Sequence, residues 1–292
     1  MKLCSSLNRS EPTLSFELFP PKTEEREQKL FSVLEQLKGL KPDFASVTCG
    51  ALGSNRNKTV FWAKQIKNRF KIEPVVHLTC VAQTKASVLE HLKELTALGI
   101  DNILALRGDP PAGQSDFTPP QDGFAYARDL LAFIRGHRLD LCIGVAGYPE
   151  GHIESASLKQ DTQHLKEKVA AGADYIITQL FFDNRFFFDF IDRARRAGIE
   201  VPIIPGIMPI TSLNQVKKMT EMCGATIPER LLDKLEQAGK DKEAVIGLGV
   251  DWAADQCQEL LDAGVKGLHF FVMNQAKPVS QILGRLRSFR RQ

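Results

Sequence analysis

The sequence predicts a single closed, parallel (β/α)8 barrel (a TIM barrel) spanning residues 1–292 as one domain. Three features predict it. Eight short apolar runs alternate with amphipathic segments, and strands joined through single helices form right-handed crossovers into a parallel sheet. A count of eight closes such a sheet, and 292 residues suit a fold of about 250 residues plus insertions. No linker or shift in composition divides the chain. The one GxG, at Gly247 and Gly249, precedes Val-Asp-Trp and lacks the third glycine and the leading strand of an open dinucleotide-binding sheet.

The first strand is expected at 14–18. A helix at 24–40 follows, with Leu30, Leu34 and Leu37 on one stripe. Strands at 43–48 and 74–79 come next, then a helix at 84–98 that opens on a Thr cap and carries Val88, Leu89, Leu92 and Leu95. Strands at 102–106, 141–146, 174–179, 202–206 and 267–272 complete the set. Each is too short for a typical helix, and most are rich in Val, Ile, Phe or Thr. Helices at 156–171, 186–197 and 251–263 stop on Gly172, Gly198 and Gly264, so that ALGID, AAGAD, RAGIE and DAGVKG read as one recurring helix-to-strand joint.

Composition narrows the function. Lys+Arg 38 against Asp+Glu 35 leaves only +3, which gives no reason to expect a nucleic acid or a membrane surface as partner. The basic run Arg285, Arg287, Arg290 and Arg291 reads as the solvated end of a last helix. No two of the six cysteines fall within CxxC spacing and none is paired with a His as a zinc site would need, so no metal site is expected, and all six are expected reduced. No signal peptide or membrane span is visible, so a cytoplasmic location is expected.

In a parallel barrel the active site lies at the C-terminal ends of the strands. These ends carry Glu17, Thr48, His77, Arg107-Gly108-Asp109, Tyr148 with His152, Gln179 with Asp183, Met208, and His269 with Phe271 and Asn274. Alternation along the first strand sets Phe16 and Leu18 on one face and Glu17 on the other, so that Glu17 points into the mouth if Phe16 and Leu18 pack outward on helices. A carboxylate against apolar walls there should have a raised pKa and could act as a general acid; the alternative is a rim salt bridge, for instance to Arg107. Arg107 and Asp109 suit a phosphate and a ring N–H or ribose hydroxyl, but also suit each other. His77 and His152 are either ligand contacts or histidines satisfied by backbone. Asp161 and Lys168 lie two turns apart on one helix, and by position alone read as a solvated face.

In order along the chain stand FELFPPKT (16–23), SVTCGA (46–51), HLTC (77–80), LALRGDPPAG (104–113), GYPEGH (147–152), ITQLFFD (177–183), IIPGIMPI (203–210) and GLHFFVMN (267–274). As a set, these resemble the motifs of bacterial methylenetetrahydrofolate reductases over residues 14–283. The resemblance implies reduction of 5,10-methylenetetrahydrofolate to 5-methyltetrahydrofolate through bound FAD, with NADH or NADPH as hydride donor. It gives Glu17 the role of general acid at N10 of the folate, and places Asp109 beside the flavin ring and the pterin. Gln179, Gln215 and Phe271, with Asp109, are the implied substrate-binding residues. Thr48, His77, Arg107, Asp109, Tyr148, His152, Asp161 and Lys168 are the implied FAD-holding ones. The sequence departs from the pattern at Phe271 (Tyr in many members), Gln275 (Arg in many), Cys49 and Leu180. A homo-oligomer is expected. An electron-transfer partner protein in place of the nicotinamide, or a pterin-binding barrel without redox turnover, are the alternatives. The chain stops soon after its eighth strand and helix, so feedback by S-adenosylmethionine on a regulatory domain is not expected.

Overall fold

The computed structural model describes residues 2–7, 9–49, 56–108, 119–287 and 289. Eight parallel strands close into a barrel in sequence order: β1 (Thr13–Leu18), β2 (Phe44–Val47), β3 (Glu73–Thr79), β4 (Asn102–Leu106), β5 (Cys142–Gly147), β6 (Tyr175–Leu180), β7 (Ile203–Ile207) and β8 (Gly267–Phe271). Closure pairs β8 with β1, setting Ser15 opposite His269 and Glu17 opposite Phe271. Glu17 also lies opposite Ser46 on β2. The sheet slips between Ile177 and Leu180, an irregularity at the C-terminal end of β6.

Two apolar layers follow from the strand alternation. Outward residues such as Phe16, Val76, Ile103, Val145, Ile176 and Phe270 join the helices in one large cluster. Inward residues Phe44, Val75, Leu104, Tyr175, Ile177 and Ile204 fill the lower barrel. A short helix α1 (Leu3–Ser6) plugs that end, burying Leu3 and Leu7 in the same cluster, and the Leu3 N–H donates to Asn102 Oδ1 at 2.8 Å. Position 144 is glycine because the Tyr175 ring lies where a Cβ would stand.

The outer helices are α2 (Glu24–Gly39), α3 (Arg56–Gln65), α4 (Lys85–Ala97), α5 (Ala127–Gly136), α6 (Leu158–Ala170), α7 (Asn184–Arg196), α8 (Leu213–Cys223), α9 (Glu229–Ala238), α10 (Lys242–Asp262) and α11 (Lys277–Arg285). A π-helical turn, Ile66–Phe70, continues α3 and ends on Lys71 at φ +59°. The Thr84 cap forms as expected, accepting from the Ser87 N–H, and Gly172 and Gly198 take positive φ where α6 and α7 stop. Two expectations change. Helix α10 begins at Lys242, capped by Asp241, so Gly247 and Gly249 lie inside a helix. Gly249 presses against the Ile210 carbonyl, and a Cβ would collide there. The cysteines are not all reduced: Cys4 and Cys142 form a disulfide, with Cα atoms 6.0 Å apart, because α1 brings Cys4 under the inward side chain of Cys142. Cys49, Cys80, Cys223 and Cys257 are free thiols. Among the described residues, no helix is long and apolar enough to cross a membrane.

Candidate active site

The C-terminal mouth holds two groups of polar residues. The first is built on β8, β1 and β3 and centres on Glu17, which is 8% exposed. Its Oε2 lies 3.3 Å from His77 Nε2 and 3.6 Å from His269 Nε2, at ion-pair range without the alignment of a hydrogen bond. Ser15 Oγ holds His269 Nδ1 at 2.8 Å, fixing the ring that faces the carboxylate. Burial pushes the Glu17 carboxyl up, but the imidazoles of His77 and His269 outweigh it and hold the group at about 2. The raised pKa expected from sequence is thus reversed. Glu17 does sit in the mouth, and its partners are two histidines on neighbouring strands rather than Arg107. Phe271 stands edge-on to His269 at 5.5 Å, and its ring fits because position 206 is glycine. Asn274 serves structure here: its amide accepts from the Phe19 N–H at 3.1 Å and donates to the Phe19 carbonyl at 2.8 Å, clasping the ends of β8 and β1.

The second group lines a pocket of about 370 Å³ between the ends of β4 and β5 and helices α5 and α6. Five residues named from sequence meet in it: Arg107, Tyr148, His152, Asp161 and Lys168. Tyr148 and His152 meet edge-on at 4.7 Å. Asp161 is 7% exposed, and its Oδ1 accepts from the His152 N–H at 3.3 Å. Lys168 is half-buried, with Nζ donating to the Ala146 carbonyl at 2.6 Å and lying 5.6 Å from the Tyr148 ring centre. Burial lowers its pKa to about 8, against the pull of Asp161. Burial and the Arg107 charge both push His152 down. The solvated face suggested by position alone is therefore wrong for Asp161 and Lys168, because α6 packs its first turn and its last across the end of β5. Sequence reading passed over Tyr126, Arg128, Glu154, His164 and Glu167, which also line the pocket. Their only signal was a place in loops and helices beside the strand ends.

The remaining candidates are more dispersed. His77 stands beside Glu17 and is not among the residues lining the pocket. The Thr48 N–H donates to the Leu18 carbonyl, and its own carbonyl accepts from Thr59 Oγ1 at 3.1 Å. Gln179 is the penultimate residue of β6, with Oε1 accepting from the Leu180 N–H at 2.9 Å. Gln215, in the first turn of α8, accepts from Thr211 Oγ1 at 3.1 Å. Asp183 caps α7 and pairs with Arg185, a structural task. Asp109 lies outside the described residues.

Residues 2–287 match the family described as methylenetetrahydrofolate reductase. The chain belongs to the methylenetetrahydrofolate reductase family. A methylenetetrahydrofolate reductase of Escherichia coli is 39% identical over 264 residues, covering 90% of this chain and 87% of the relative. Methylenetetrahydrofolate reductase 1 of Schizosaccharomyces pombe is 40% identical over 276 residues, covering 94% of this chain and 46% of the relative. Methylenetetrahydrofolate reductase (NADH) 1 of Arabidopsis thaliana is 39% identical over 292 residues, covering 97% of this chain and 49% of the relative. The chain thus spans about half the length of these larger curated relatives. A Clostridium thermocellum protein, described as binding two copies of 5-methyl-5,6,7,8-tetrahydrofolic acid, superposes with a TM-score of 0.66 at 18% identity, over 96% of this chain and 95% of that one. At that identity the likeness speaks for the barrel alone.

Proposed function

We propose that this methylenetetrahydrofolate reductase-family chain reduces 5,10-methylenetetrahydrofolate to 5-methyltetrahydrofolate, using FAD and NADH or NADPH. The observation that carries the proposal is the pairing of a buried carboxylate, Glu17, with a separate pocket that offers Arg107, His152 and Lys168 to an anionic ligand at the same barrel mouth. That donor set fits FAD: a forked guanidinium and an ammonium suit a diphosphate, Asp161 suits a hydroxyl or ring N–H, and Tyr148 offers an aromatic face. The pocket volume of about 370 Å³ suits one part of a dinucleotide. When bound, FAD supplies the two-electron redox chemistry.

The chain's own part is to hold the ligands and to move one proton. Opening the five-membered ring of the folate needs a proton at N10, and Glu17 is the group assigned to deliver it. Held at about 2, its carboxyl is a poor reservoir at neutral pH. His77 and His269 flank the carboxylate at 3.3 Å and 3.6 Å and hold it at the strand ends, where the folate is proposed to bind. Ser15 keeps His269 turned toward the carboxylate throughout. Asp109, Gln179, Gln215 and Phe271 are proposed to contact the folate, and Thr48 and Asp109 to assist in holding FAD. A partner protein as electron source is the second reading. The feature that favours it is Phe271, whose ring packs with an apolar cluster that includes Met208 and Ile210 instead of presenting a hydroxyl. Assembly as a homo-oligomer and a cytoplasmic location complete the proposal.

Anaerobic titration of the purified protein tests it. The flavin band should bleach with NADH or NADPH and recover with 5,10-methylenetetrahydrofolate. A band that bleaches with neither nucleotide points to the partner protein. Protein that cannot be loaded with FAD removes the reading.

A further inference from the structure

Two ion pairs straddle the pocket. Arg107, at the end of β4, meets Glu154 of the β5–α6 loop through both terminal nitrogens, Nη1 to Oε2 at 2.5 Å and Nη2 to Oε1 at 2.6 Å. Arg128 of α5 meets Glu167 of α6 across the same opening, with its guanidinium 5.1 Å from the Tyr126 ring centre. All five residues line the pocket. Parallel two-point contact is the arrangement by which a guanidinium grips a phosphate, so the carboxylate of Glu154 sits where a phosphate of the ligand would.

We propose that Glu154 and Glu167 are exchangeable internal anions: they occupy the donor faces of Arg107 and Arg128, and a diphosphate-bearing ligand seats itself by displacing them. The inference rests on the flavin reading above for the identity of that ligand. The geometry says which partner leaves. The Glu154 side chain is 52% exposed and projects from a loop, whereas Arg107 is 23% exposed at a strand end. The Glu154 backbone is tied by its N–H to His152 Nδ1 at 3.1 Å, so the carboxylate can swing outward while the loop stays in place. Glu167 has a landing place, since Gln163 Nε2 already donates to its Oε1 at 3.3 Å. A diphosphate brings more charge and more acceptor oxygens than either carboxylate and wins both cations together. The two glutamates thereby set the cofactor's affinity by competition. They also keep the paired arginines from attracting smaller anions.

The test is calorimetric titration of the whole chain and of Glu154→Gln, Glu167→Gln and the double variant, with ADP, adenosine and inorganic pyrophosphate as probes. Glu154→Gln should tighten ADP and pyrophosphate about fivefold, the worth of one exposed ion pair, and leave adenosine unchanged. The double variant should tighten them further. Unchanged or weaker anion binding in Glu154→Gln, with its thermal melt intact, overturns the inference. So does equal tightening of adenosine, which would mean that the carboxylate merely narrows the opening, or failure of every variant to bind either anion. Wild-type protein that never takes up FAD, yet binds pyrophosphate more tightly after Glu154→Gln, would sink the flavin reading and leave the exchange standing.

Discussion

Replacing Glu17 with Gln isolates the charge that the two histidines hold. The carboxyl sits at about 2 in the folded chain against an ordinary 4.5, because His77 and His269 favour the anion more than burial opposes it. A depressed carboxyl stabilises the fold above its unfolded value and loses that contribution as pH falls toward the folded one. The gap corresponds to about 3 kcal/mol, of which about 2 kcal/mol is gone by pH 3. Glutamine cannot ionise and has nothing to lose in that window. Urea denaturation followed by circular dichroism between pH 6 and pH 3 should therefore show the stability of wild type falling by about 2 kcal/mol more than that of Glu17→Gln. Parallel losses in the two proteins would refute the argument. They would mean that the imidazoles do not bias the carboxyl. The same variant should bind FAD yet fail to reduce the folate.

Other outcomes follow from the barrel and the pocket. Lys168 loses its proton as pH rises through about 8. FAD affinity, read by flavin fluorescence, should accordingly fall above that pH, and Lys168→Arg should abolish the fall; identical profiles would remove Lys168 from the anion site. Gly144→Ala should destabilise by about 3 kcal/mol in urea titration, because the new methyl meets the Tyr175 ring, with its hydroxyl oxygen at 2.7 Å; a neutral result would show that the lower barrel can shift. Cys4→Ser should cost about 2–4 kcal/mol, and reducing agent should lower the wild-type melting temperature but not that of the variant.

Much of this was legible in the chain itself, for local reasons. Strand positions were readable because a barrel strand must be a short apolar run between a helix stop and a polar end, and β4 was recovered at its limits, 102–106. The inward direction of Glu17 followed from alternation together with the outward packing of Phe16 and Leu18, which the structure shows. Its partners did not, since His269 belongs to the last strand and comes alongside only when β8 pairs with β1. The beginning of α10 was hidden because Gly247 and Gly249 lower helix propensity, and only tight packing on Ile210 explains Gly249. The plug helix carrying Cys4 spans four residues, too few to show a period, so the disulfide had no visible precursor. Asp161 and Lys168 carried charge on a helix, and charge on a helix ordinarily means solvent. Only the placement of α6 over the end of β5 turns them inward.

The pairing of β8 with β1 also orders events during synthesis. Glu17 leaves the ribosome among the first residues of the barrel, but His269 and the clasp from Asn274 to Phe19 arrive with the last strand. Until then one of the two imidazoles that flank Glu17 is missing, and the carboxylate lacks half of the partners that fix it in the mouth. Sealing the cylinder and completing the acid centre are thus a single event, and a growing chain has no finished proton donor to offer before its fold is complete.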